Sequence, residues 1–258
     1  MKAFEYAVPT SIGEASELLR QDGAAALAGG SQLLLTFKWL PPPKLLVNIK
    51  RLPGLRNISA EGDEVWIGAL TTLADIRRST LLAERFPVLG IASRLMAVPS
   101  VATMATVGGN IAWASPQADL VQPLLALDAQ VELSGGAAMP LRDFFAGPGK
   151  TALQPGELIT GVRLRGSGRK AVYLRHSTRR LADAQICSVA LTEQRAVLGS
   201  CGPTPVVVDL PSGLALAEAV DLVASHASPR DDFRASGAYR MKIVRVLARR
   251  GLEYLHAY

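Results

Sequence analysis

Two glycine-rich turns about 80 residues apart dominate this chain: Ala28-Gly29-Gly30-Ser31-Gln32, and Thr106-Val107-Gly108-Gly109-Asn110 with its continuation to Ser115-Pro116-Gln117-Ala118-Asp119-Leu120. Each opens on small residues that bare the backbone and runs on into apolar sequence, a pattern suited to a turn whose N–H groups wrap a phosphate. One such turn reads first as an ordinary loop. Two of them, with a carboxylate downstream of the second, suggest a diphosphate held between loops.

The intervening periodicities predict a mixed chain. Ser11-Ile12-Gly13-Glu14 has capping-box spacing ahead of Ala15, Leu18 and Leu19 on one helical face. Ala24 to Ala28 reads as a strand, Leu33 to Trp39 as a helix stopped by Pro41-Pro42-Pro43, and Leu45–Ile49 and Glu64–Gly68 as further strands. Thr71 to Met96 is helical in period, as is Leu120 to Leu127; Gln130–Leu133 is a strand leading into a Ser134-Gly135-Gly136 hairpin turn, and Phe144-Phe145 begins a loop. Strands at Leu158–Arg165, Ala171–Arg175, Ala184–Leu191 and Ala196–Ser200 would form an antiparallel meander ended by Pro203 and Pro205. The last ~45 residues read as helical, with Tyr239, Ile243, Val246, Leu247 and Leu252 as the apolar stripe opposite Lys242, Arg245 and Arg249. Gly166-Ser167-Gly168 is the best boundary between a larger front part and a smaller C-terminal part.

Several function classes are disfavoured. The formal net charge is +6, but the densest basic run, Arg175 to Arg180, carries no interleaved aromatics to stack bases. Cys187 and Cys201 match neither a zinc nor an iron–sulfur spacing and read as buried thiols of a reducing compartment. The first residues lack a signal-peptide core and no apolar run suits a membrane span, so the expected location is the cytoplasm. No G-x-G-x-x-G follows a strand, and Gly147-Pro148-Gly149-Lys150-Thr151 lacks the first glycine of a P-loop, where Phe144 stands. His176, His226 and His256 are too far apart in sequence to suggest a metal site, and no nucleophile–base pattern is visible. The chain reads as lacking catalytic side chains of its own.

An ordered series of segments now carries a resemblance: Ala28-Gly29-Gly30-Ser31, Trp66-Ile67-Gly68-Ala69-Leu70-Thr71-Thr72, Thr106-Val107-Gly108-Gly109-Asn110-Ile111, Ala114-Ser115-Pro116 with Asp119-Leu120, Leu124 to Ala129, Asp143-Phe144-Phe145, and Pro155-Gly156-Glu157-Leu158-Ile159. Together they resemble the FAD-binding (medium) subunit of the xanthine dehydrogenase and carbon monoxide dehydrogenase family of molybdenum hydroxylases. The likeness spans about residues 1 to 192, and Ala238-Tyr239-Arg240 is similar to the family's C-terminal helix motif.

The resemblance implies an α+β fold: a PCMH-type FAD-binding domain over 1–166, with subdomains of about 1–55 and 56–166, and a C-terminal domain of antiparallel strands and helices over 167–258. Ala28, Gly29, Gly30, Ser31 and Gln32, with Thr106, Val107, Gly108, Gly109 and Asn110, would then grip the diphosphate of a noncovalent FAD. Asp119 would bond the ribityl or diphosphate region, and Ile159 would lie beside the flavin ring. Arg175 stands where family members carry a lysine near the cofactor, keeping the charge but not the shape. Thr103-Met104 replaces a usual Arg-Asn pair, Ala105 a common glycine and Gln32 a frequent aspartate. Only 75 residues follow Asp183, a short C-terminal domain for this family.

The implied partners are a molybdopterin-binding large subunit and a small subunit with [2Fe-2S] clusters, assembled as a dimer of heterotrimers, with electrons passing through the clusters to FAD and on to an external acceptor. A stand-alone flavin oxidoreductase and a non-catalytic assembly subunit that has lost FAD are the competing readings.

Overall fold

The computed structural model describes residues 4–166, 170–179 and 183–256. Its first layer is a parallel sheet in the order β1-β3-β2, built from β1 (Glu5–Ala7), β2 (Ala24–Leu27) and β3 (Leu45–Asn48). Between them run α1 (Ile12–Leu19) and the single turn α2 (Leu33–Thr36). Ser11 Oγ caps α1 by accepting from the Glu14 N–H at 3.2 Å, but the Glu14 carboxylate turns to the Thr10 N–H at 2.7 Å, so the expected capping box is half formed. Ala15, Leu45, Val47 and Ile49 close a small core with Leu52, Leu55, Leu70 and Leu158.

The second layer is a five-stranded antiparallel sheet in the order β4-β5-β10-β6-β7. It follows the chain through β4 (Ile58–Glu61) and β5 (Glu64–Gly68), then helices α3 (Leu73–Arg78), α4 (Thr80–Arg85), α5 (Pro87–Met96), α6 (Pro99–Ala102), α7 (Val107–Ala112) and α8 (Val121–Ala126). It returns through β6 (Gln130–Leu133), β7 (Ala138–Pro140), the small hairpin β8 (Phe145–Gly147) with β9 (Lys150–Thr151), and β10 (Ile159–Arg165). Period-2 alternation divides its faces: Val65, Ile67, Val131, Val162 and Leu164 enter the main core with the helices, while Arg163 on the other face donates to Glu132 at 2.7 Å and Glu64 at 3.1 Å and lies 5.5 Å over the Trp66 ring. Phe144-Phe145 therefore leads into a hairpin rather than a loop, and the P-loop imitation Gly147 to Lys150 is that hairpin's turn, with Gly149 at φ +66°.

The third layer is a four-stranded antiparallel sheet, β11 (Ala171–His176), β12 (Cys187–Thr192), β13 (Arg195–Gly199) and β14 (Val206–Asp209), backed by α9 (Leu216–Ser225) and α10 (Gly237–His256). The expected meander is corrected here: β10 belongs to the middle sheet, and the fourth strand is β14, which starts after the prolines that were expected to end the run. Both faces of this sheet are covered. Cys187, Val189 and Leu191 face α9 and α10, while Ala190 and Val197 join the main core around α8. The two cysteines are free and buried.

The stripe on α10 is also corrected. Tyr239 and Val246 are each 42% exposed, and the buried face is Gly237, Arg240, Val244, Leu247, Ala248, Gly251, Leu252 and Leu255. The small residues set this face, because a Cβ at Gly251 would lie 2.3 Å from Leu191 on the sheet. The boundary at Gly166-Ser167-Gly168 lies outside the described residues at Ser167 and Gly168, as does Arg180 of the basic run. No described helix is long and apolar enough to cross a membrane.

Candidate functional site

The two glycine turns meet. A Cβ on Gly29 would stand 1.8 Å from the Met104 carbonyl oxygen and 3.2 Å from the Ala105 Cα, so the first loop lies directly on the backbone that leads into the second. The second loop is pinned in turn to the middle sheet: Val107 N–H donates to Thr71 O at 3.0 Å, Gly108 N–H to Ala69 O at 2.8 Å, and Leu73 N–H to Ala105 O at 3.0 Å. A Cβ on Gly108 would touch the Ala69 Cβ at 2.7 Å. Thr106 then caps α7 by accepting from the Gly109 N–H at 3.1 Å.

This geometry changes what each loop can offer an anion. The N–H groups of Val107, Gly108, Gly109 and Asn110 are all used within the protein, so the second turn is a scaffold rather than the N–H cradle its glycines suggest. The first turn keeps that role. Among the described residues, no protein acceptor takes the N–H groups of Gly29, Gly30, Ser31 or Gln32, and Gly30 holds φ +75°, a conformation open to glycine without strain.

Both loops line a cleft of about 230 Å³, together with Ala26, Ala28, Leu33, Met96, Ala105, Thr106, Gly109, Asn110, Ala112 and Trp113. The Asn110 Oδ1 atom is buried with no partner, an acceptor held where a ligand donor or a flipped amide could use it. Trp113, 38% exposed, follows Gly109 by one helical turn and forms a wall of the cleft. That i,i+4 spacing was the available signal for it. Met96, which ends α5, also escapes a motif-based reading.

The remaining expected residues lie behind the cleft. Ile159 is 6% exposed in the main core and is not among the cleft's lining residues. Asp119 and Arg175 find each other: Arg175 Nη1 donates to Asp119 Oδ1 at 2.9 Å and to Leu95 O at 3.1 Å, and its Nη2 donates to Asp183 O. Leu95 adjoins Met96, so the guanidinium is anchored next to the cleft wall. Tyr173 also donates to Asp119 Oδ1, at 2.6 Å. Tyr173 shares a strand face with Arg175 two residues on, which is how sequence alternation could have found it. Burial pushes the Asp119 carboxyl up to about 6, with the Arg175 cation and the Tyr173 hydrogen bond pulling the other way. Burial likewise holds Tyr173 well above the ordinary phenol value.

Residues 2–164 match the family model described as the FAD binding domain in molybdopterin dehydrogenase. The chain belongs to this family. Its likeness to the carbon monoxide dehydrogenase medium chain of Afipia carboxidovorans extends over 97% of this chain and 96% of that protein at 33% identity. The glyceraldehyde dehydrogenase medium chain of Sulfolobus acidocaldarius is 29% identical over 97% of both. Among solved structures, the carbon monoxide dehydrogenase of Hydrogenophaga pseudoflava lacking the Mo-pyranopterin moiety superimposes with a TM-score of 0.93 at 28% identity, covering 99% of this chain and 98% of that one. Members of the FAD-binding family share an α+β architecture, and the three-layer fold described above is an instance of it.

FAD fits these residues on the structure's own terms. The unused N–H groups of the first loop suit a diphosphate, the Asn110 acceptor lacks a partner, and Gly29 and Gly109 keep side chains out of the space between them. Described residues group no three His, Cys, Asp or Glu side chains able to hold a metal, consistent with metals carried on partner chains.

Proposed function

We propose that this chain is the FAD-carrying, electron-transferring subunit of a molybdenum hydroxylase complex, with a molybdopterin-binding large subunit and a [2Fe-2S] small subunit as partners. When bound, FAD supplies the exchange between single-electron donors and a two-electron acceptor. The chain's own residues bind and orient. The backbone of Gly29 to Gln32 holds the diphosphate by N–H donation, Asn110 bonds a polar group beside it, and Trp113 and Met96 wall the cleft and exclude water. Asp119, held by Tyr173 and Arg175, borders the ribityl and ring end; a direct bond from its carboxylate to the cofactor would take the place of one it now accepts from protein. The single observation that carries this reading is the set of unused N–H groups in the first loop, closed against a second loop whose own N–H groups are spent.

Medium chains named for carbon monoxide and for glyceraldehyde share this architecture, which supports placing the organic substrate on another subunit. A cytoplasmic dimer of heterotrimers, and a division of this chain near residue 166 into FAD-binding and C-terminal domains, complete the proposal.

The absorption spectrum of the purified chain, with heat release of any chromophore, tests it directly. Noncovalent FAD is expected; a colourless protein that takes up no added FAD would overturn the reading. Gly109→Asp sharpens the test. Aspartate at the third position of α7 suits a helix start, and the only close neighbour of its Cβ is Thr106 Oγ1 at 2.9 Å, so the fold should survive while a carboxylate is placed at the diphosphate. Flavin content should fall below a tenth of wild type with little change in melting temperature. Near-normal FAD in that variant would remove the second loop from the site.

A further inference from the structure

We propose that a second cavity, at the junction of the C-terminal layer with the rest of the chain, is a site for a small inorganic oxyanion of the phosphate or sulfate class. It measures about 190 Å³ and is lined by Gln117, Ser200, Gly202, Arg230, Asp232 and Arg240, among others. Arg240 is the largest fully buried side chain, 2% exposed. Its Nη1 donates to Ile186 O and its Nη2 pairs with Asp232 at 2.6 Å, while its Nε has no partner. A guanidinium carries five donors in a rigid fork that matches oxyanion geometry, and a buried donor left unmade is costly. Arg230 lines the same cavity, is exposed, and has no carboxylate partner among the described residues. The neighbouring Asp231 is turned away, accepting from Gly237 N–H at 2.6 Å. Two cations therefore face one carboxylate.

The volume suits an ion rather than a nucleotide, since pockets for larger ligands start at roughly 300 Å³. Its position gives occupancy a consequence. The cavity joins Pro116 and Gln117 to Ser200 and α10, and Ser200 N–H already donates to Pro116 O at 2.8 Å across that seam. An anion bridging Arg240 and Arg230 would tie the segment that carries Asp119 to the C-terminal layer.

The test is the melting temperature of the full FAD-loaded chain titrated with phosphate or sulfate against chloride at matched ionic strength. A saturable rise is expected with either oxyanion and not with chloride, and Arg230→Gln should move its midpoint up by about tenfold, the loss of one charge-assisted contact, without changing FAD content. Arg240→Lys keeps the charge but loses Nε and should also abolish the saturable response; if that variant does not fold, Arg230→Gln alone decides. A rise that never saturates, or that is identical in wild type and Arg230→Gln, would be general exclusion or binding elsewhere and would overturn the proposal.

Discussion

Gly29→Ala is expected to destabilise the chain by about 3 kcal/mol or more and to strip it of flavin. The added methyl would fall 1.8 Å from the Met104 carbonyl oxygen and 2.6 Å from its carbon, a collision of backbone with backbone that no rotamer change relieves. The first loop would have to lift off the second. The second cannot retreat, because Val107 and Gly108 are bonded to Thr71 and Ala69 of the middle layer. Lifting the first loop also misplaces its free N–H groups, so binding and stability should fail together. Gly13→Ala is the control: Gly13 lies in α1, its Cβ would meet nothing nearer than Ser11 Oγ at 4.0 Å, and alanine there should stabilise by roughly 0.5 kcal/mol. Denaturant midpoints and bound flavin for both variants check the contrast. A Gly29→Ala protein with wild-type stability would mean the loops are not in contact as described.

The same residue shows how far sequence carries. The glycine pairs are visible as glycine pairs, but Gly29 is small because another loop's backbone passes over it, a tertiary fact with no local signature. Strands such as Glu64–Gly68 and Gln130–Leu133 alternate cleanly between turn residues and are legible residue for residue. β14 is not, because Pro203 and Pro205 look like an ending and in fact precede a strand whose pairing partner is supplied by β13. The face of α10 was misjudged for a related reason. Hydropathy favours Tyr239 and Val246 for the core, whereas close approach to the sheet selects Ala248 and Gly251, and an internal ion pair carries Arg240 inside. Asp119 and Arg175 were singled out for a cofactor, and their bond to each other was not foreseen: 56 residues separate them in the chain.

That bond sets the second large effect. Arg175→Met should cost about 3–5 kcal/mol at pH 8, because it removes the cation from a carboxylate that stays buried. Arg175 and Asp119 side chains are 3% and 6% exposed, so solvent cannot take the cation's place. The pH dependence follows from the sign of the shift. Asp119 titrates near 6 in the folded chain against an ordinary 3.8, so between those values the folded state holds a proton that the unfolded state has released. This group's contribution to stability is therefore fully present below about pH 4, declines as pH rises through that window, and is level above it. Without Arg175 the carboxyl is pushed higher still, and the decline continues above pH 6. The penalty of Arg175→Met should thus be small at pH 4 and largest at pH 8, as urea midpoints at the two pH values would show. Adding Asp119→Asn to the variant should restore most of the loss at pH 8, since a neutral amide of similar shape needs no cation. If the double variant is no better than the single one, Arg175 acts instead through the carbonyls of Leu95 and Asp183, which it also binds, and its task is to hold the end of α5 against the cleft rather than to neutralise Asp119.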